Sequence, residues 1–204
     1  MNKIIYLFSL LGIFTSCSDD NSGGNVSSAL QKSPVNIGET YNTTTNLIGN
    51  VNMFIGFGQT IDVGLPTEHI SPAFEYITNI DTEVRSTSHG TISSINYQEE
   101  SEDYELHIIL KENSAYLIIY DHVKNLEVEQ GDIISSGDIL GVVGNWSDTL
   151  GRTELQINLG NKHICPIQLG NDVFIEDHSR LVSTLNQNEI TMLTSACLVD
   201  EIDE

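Results

Sequence analysis

Residues 128–144 read VEQGDIISSGDILGVVG, and the stretch repeats itself at a spacing of six: Gly131-Asp132-Ile133 is followed by Gly137-Asp138-Ile139. Each glycine supplies backbone freedom at a tight turn, and each aspartate can close that turn with its side chain. Between the turns Ile133-Ile134 makes a short rung, and Ile139 to Val143 continues as an apolar strand. A chain built this way folds back on itself every few residues.

Upstream the periodicity is also that of strands. Val84 to Thr87, Thr91 to Tyr97, Glu105 to Leu110 and Ala115 to Val123 are β-branched or alternating runs, and Glu154 to Leu159 follows the repeat. Turn signals separate them, and no amphipathic helix intervenes. The pattern predicts an all-β domain, an antiparallel β-sandwich or barrel-like arrangement. Helix is expected only near the C-terminus, over Asp177 to Leu185, in a short helical or irregular extension ending in the acidic tail Asp200 to Glu204.

Composition limits function. With 29 Asp and Glu against 8 Lys and Arg, the formal charge of the 204 residues is −21. Such a surface repels phosphate backbones and anionic lipid, which argues against nucleic-acid binding. At the N-terminus, Lys3 precedes the apolar run Ile4 to Phe14, too short to span a bilayer and of signal-peptide type. Thr15-Ser16-Cys17 then resembles a bacterial lipobox, which implies lipidation of Cys17 and a place in the cell envelope as an outer-membrane lipoprotein. The division expected is a signal peptide over 1–17, a flexible polar tether over 18–45, the β-domain over 46–170 and the extension over 171–204. Cys165 and Cys197 either form a disulfide or remain two buried thiols; spacing alone does not choose.

The repeated Gly-Asp phrase, together with Thr82-Glu83-Val84 leading to Gly90-Thr91-Ile92 and with Tyr120-Asp121-His122, resembles the lysostaphin/LytM-type zinc metallopeptidases of bacterial cell walls. The resemblance covers roughly residues 65 to 168 and implies their duplicated hybrid-motif β-fold. It also implies where a site belongs. In that family one zinc is held by the His and Asp of H-x-x-x-D and the second His of H-x-H. The first His of H-x-H and the His of Y-x-H assist the attacking water. On this sequence the resemblance puts Ser71 and Glu75 at the first pair, Glu154 and Gln156 at H-x-H, and His122 at Y-x-H. Serine and glutamine are poor zinc ligands, so the metal site is degenerate in this reading. His69, two residues before Ser71, is the nearest substitute. Trp146 falls in a loop bordering the family's groove, where an aromatic can stack on a sugar or peptide stem.

The expectation is a lipid-anchored, non-catalytic envelope protein without a cofactor, binding a cell-wall fragment, a glycan or a partner protein. The alternative is a peptidoglycan metalloendopeptidase using one weakly held zinc ion at an altered site.

Overall fold

The structure, a computed structural model, describes residues 28–41, 53–111, 115–188 and 193–204. Cys17 and the signal-like segment lie outside the described residues. The chain order is α1 (Ile37–Thr40), β1 (Met53–Ile55), β2 (Thr60–Ile61), β3 (His69–Ile70), β4 (Ala73–Asn79), β5 (Glu83–Arg85), β6 (Gly90–Gln98), β7 (Asp103–Leu110), β8 (Tyr116–Lys124), β9 (Ile133–Ile134), β10 (Ile139–Asn145), β11 (Leu150–Leu159), β12 (Lys162–Ile164), α2 (Asp172–Gln187) and β13 (Glu201–Asp203). Eleven strands join one antiparallel sheet that does not close into a barrel, while β2 and β3 pair as a separate ribbon.

β11 is the spine of the sheet. It pairs with β4 from Leu150↔Asn79 to Gln156↔Ala73 and with β8 from Glu154↔Asp121 to Leu159↔Tyr116. Its residues alternate strictly: Gly151, Thr153, Leu155 and Ile157 are buried, and Arg152, Glu154, Gln156 and Asn158 face the other way. The buried set meets Tyr76, Ile118, Tyr120 and Phe174 in the core. Every residue of β4 from Ala73 to Thr78 is buried, so this strand lacks the alternation by which the others are legible.

The two Gly-Asp turns have matching geometry. Asp132 Oδ2 accepts from the Glu129 N–H, and Asp138 Oδ2 from the Ser135 N–H, both at 2.8 Å. Gly131 and Gly137 stand at φ of 97° and 96°, a region costly for any residue with a Cβ. Ile134 enters the core from the rung, but Ile133 is exposed.

The helix is longer than the sequence pattern suggests. Asn171 caps it by accepting from the Phe174 N–H at 2.9 Å, and Phe174, His178, Leu181, Val182 and Leu185 form its buried stripe. Residues 28–41, expected to belong to the tether, instead pack on the domain. Leu30, Val35 and Tyr41 are buried, Gln31 N–H donates to Thr87, and Arg85 N–H donates to Pro34. Their apolar side chains alternate with polar ones too sparsely to stand out from the polar segment preceding them. The acidic end likewise becomes an edge strand, β13, on β12. Cys165 and Cys197 are joined as a disulfide, with Cα atoms 6.0 Å apart.

Candidate functional site

Glu75, Glu154 and Asp121 stand side by side on three neighbouring strands, since Glu154 is the register partner of both others. Like charges in such a row repel, and the sheet supplies a counter-charge from its own spine. Arg152, two residues before Glu154 on the same face of β11, places Nη1 3.8 Å from Glu75 Oε2 and 3.7 Å from Glu154 Oε1. Its guanidinium lies over the Trp146 ring, 4.8 Å from the centroid, and its Nη2 donates to His122 Nε2.

His122 reaches this place through a bulge. Between Leu106↔Tyr120 and Tyr104↔Val123, β8 carries one residue more than β7, and His122 adopts φ of 57°. The extra residue lets consecutive side chains, Asp121 and His122, share one face, which strict alternation forbids. The ring's Nδ1–H donates to Asp103 Oδ2 at 2.8 Å, leaving the Nε2 lone pair for Arg152. Asp103 is fully buried and also accepts from the Ser101 hydroxyl at 2.6 Å. Gly144 makes room for this pair: a Cβ there would lie 2.5 Å from Asp103 Oδ2 and 3.0 Å from His122 Cβ.

Burial sets the protonation of the acids. Desolvation, then repulsion from Glu75, pushes the Glu154 carboxyl up to about 8 against the pull of Arg152. Glu75 is also raised by desolvation, opposed first by Arg152 and then by a hydrogen bond from Ser71. Asp121 is raised by desolvation, opposed by His122. The site thus holds a carboxyl, Glu154, that burial and its acidic neighbour keep well above the usual carboxylate range.

The structure brings together Ser71, Glu75, His122 and Glu154 of the residues singled out by sequence. Ser71 Oγ donates to the Ala73 carbonyl at 3.0 Å and lies 3.4 Å from Glu75 Oε1. Gln156 shares the face of β11, but its amide donates to Asn158 Oδ1. His69 is exposed and bonds its own loop at the Thr67 carbonyl, 2.8 Å away. Trp146 is 47% exposed, with the Arg152 guanidinium over its ring. Arg152, Asp121 and Asp103 are the members that sequence reasoning missed. The usable signal was Arg152 itself, a rare cation in a very acidic chain, in phase with Glu154 on one strand.

Zinc at the family positions does not fit this donor set. Of the three positions that hold zinc in the resemblance, Glu75 alone carries a carboxylate, and Arg152 sets a fixed positive charge 3.8 Å from it; Ser71 and Gln156 offer only a hydroxyl and an amide oxygen. Among the described residues one grouping has metal-like spacing: ligand atoms of Asp103, Asp121 and His122 lie within 4.8 Å of one another.

Residues 70–166 match the family model Peptidase family M23. Solved structures with a similar fold include lysostaphin from Staphylococcus simulans, 20% identical, covering 52% of this chain and 43% of that one with a TM-score of 0.44. A zinc containing peptidase from Vibrio cholerae is 17% identical, covering 68% of this chain and 39% of that one with a TM-score of 0.50. The catalytic domain of the prophage-encoded M23 protein EnpA from Enterococcus faecalis is 18% identical, covering 55% and 88% with a TM-score of 0.44. The chain therefore spans less than half the length of the lysostaphin and Vibrio cholerae chains that it matches. A search of curated protein sequences finds no match.

Proposed function

We propose that the chain, whose residues 70–166 match the peptidase family M23 model, is a non-catalytic binding domain of the bacterial cell envelope, lysostaphin/LytM-like in fold and degenerate at the zinc site. The observation that carries this reading is the guanidinium of Arg152 lying among Glu75, His122 and Glu154. The metal-dependent route to amide hydrolysis that the resemblance implies needs a water whose pKa a bound metal has lowered, held by ligands with free lone pairs. Here the imidazole faces a guanidinium, and burial holds the Glu154 carboxyl above the usual range, against ligation as a carboxylate. The occupant of the groove is a cell-wall fragment, a glycan or an envelope partner protein. Half-exposed Trp146 offers a stacking face for a sugar or a peptide stem. Lipidation at Cys17 holds the domain to the membrane, in keeping with the short apolar run before it.

The test combines two measurements on the full-length chain in detergent. Incubated with purified peptidoglycan sacculi, the protein is expected to co-sediment with them and to release no soluble fragments. Zinc is expected to bind no more tightly than about 1 μM. The grouping of Asp103, Asp121 and His122 favours a second reading, an endopeptidase with an altered metal site. Stoichiometric zinc with fragment release abolished by His122→Ala would decide for it. For the anchor, Cys17→Ala should move the protein out of the membrane fraction; unchanged partition and lipid labelling would remove the lipoprotein assignment.

A further inference from the structure

Two hairpin tips meet at Arg152. At one, between β10 and β11, the N–H groups of Trp146 and Ser147 both donate to the Leu150 carbonyl, at 2.8 and 2.9 Å. The Leu150 N–H in turn donates to the Ser147 hydroxyl at 3.1 Å, which fixes the tip. At the other, between β6 and β7, the Ser101 hydroxyl donates to Asp103 Oδ1 at 2.6 Å and lies 3.2 Å from Gln98 Oε1. A cavity of about 470 Å³ opens beside this second tip, lined by Gln98, Glu99, Glu100, Ser101, His122 and Arg152. That is within the roughly 300–1,000 Å³ of small-molecule sites. Arg152 belongs to both places, since it lines the cavity while its guanidinium lies over the Trp146 ring.

We propose that this cavity and the Trp146 ring together form a subsite for an uncharged saccharide, with a sugar ring stacked on the indole and its hydroxyls bonded to Glu99, Glu100 and Gln98. The proposal rests on the envelope-binding reading above and names the ligand class. Trp146, 47% exposed and held from one side by a cation, presents an apolar face in a fixed orientation. Glu99 and Glu100 are exposed, and their carboxylates are pure acceptors, suited to hydroxyl donors. The Gln98 amide adds donors, as a ligand with both hydroxyl hydrogens and lone pairs requires. An anionic ligand, such as a stem peptide with its carboxylates, meets Glu99 and Glu100 and the acidic row of Glu75, Glu154 and Asp121. The Arg152 guanidinium is already divided between Glu75, Glu154 and His122. An extended peptide also finds β8 and β11, which carry His122 and Arg152, paired with other strands on both sides. A neutral sugar meets neither obstacle.

Titration of N-acetylglucosamine tetrasaccharide into the full-length chain, in a detergent without a sugar headgroup, tests this. Trp146 is the one tryptophan of the sequence, so intrinsic fluorescence reports the subsite directly. A saturable change is expected, with an affinity that about 0.5 M salt leaves within about twofold, as suits an uncharged ligand. By calorimetry Trp146→Ala should abolish binding, and Glu99→Gln combined with Glu100→Gln should weaken it about tenfold. If Trp146→Ala fails to fold, the double glutamine variant at the exposed tip carries the test. No response to the tetrasaccharide overturns the proposal, as does an affinity that these substitutions leave unchanged. Tighter, salt-sensitive binding of a free stem peptide overturns it as well. Co-sedimentation with sacculi but no tetrasaccharide response overturns this proposal and leaves the envelope-binding reading standing. Tetrasaccharide binding together with fragment release from sacculi upholds the subsite and removes the non-catalytic reading instead.

Discussion

Glu154 shows how one position can keep its place and lose its chemistry. The family resemblance pointed to it, along with Glu75, Ser71 and His122, and the fold brings these side chains near one another. What the pattern did not convey was the effect of Arg152, since a cation's role depends on which acids the neighbouring strands bring beside it. Glu154 titrates near 8 in the fold against an ordinary value of 4.5, through burial and the facing Glu75, Asp121 and Asp103. A group raised in this way contributes stability fully present below its unfolded pKa and lost as pH rises through the folded one. Stability of the parent should therefore fall between about pH 5 and pH 9 relative to Glu154→Gln, which cannot ionise. Urea melts of the two proteins across that range would show curves that diverge; parallel curves would mean that Glu154 is ionised in the folded state at neutral pH.

At the level of elements, the turns were the most legible part, because Gly-Asp chemistry is local. Substituting Val for Gly131 should destabilise by about 1–3 kcal/mol through the left-handed backbone alone, as open space surrounds the position. The bulge in β8 was not legible, since an inserted residue changes pairing without changing composition. In α2 the missed feature is His178, fully buried between Phe174 and the β4 aromatics. Its Nδ1–H donates to the Phe174 carbonyl at 2.7 Å, and Tyr76 O–H donates to Nε2 at 2.6 Å. Burial pushes its pKa down to about 4 from 6.5. Its contribution is therefore present above pH 6.5 and lost as pH falls toward 4, up to roughly 3 kcal/mol. Between pH 7 and 5 the parent should lose more stability than His178→Gln, measured by chemical denaturation. Equal losses would exclude His178 as an acid-sensitive group.

For the whole molecule, the question is what holds the C-terminal arm to the sheet. From Leu193 onward the arm runs beside the loop after β1, where Phe57 N–H donates to Ala196 and Leu198 N–H to Phe57, both at 2.9 Å. It then pairs through β13 with β12, and Cys165 N–H donates to Asp200 at 3.0 Å. The arm thus links two parts of the domain far apart in sequence, and Leu193 and Ala196 add apolar burial. Sequence reading left the pairing of Cys165 with Cys197 open because only the fold brings β12 and the arm together. With a sequence separation of 32, the bond should stabilise the domain by about 3–4 kcal/mol through restriction of the unfolded chain. Reductant should lower the melting temperature of the parent and leave Cys197→Ser unaffected, with that variant melting at the reduced parent's temperature. Limited proteolysis after α2 should quicken in step, because the arm then depends on a few edge hydrogen bonds that open without the rest of the sheet. If reduction leaves both melting and cleavage unchanged, the arm is held by its strand pairing and apolar contacts, and the disulfide adds nothing that those do not already supply.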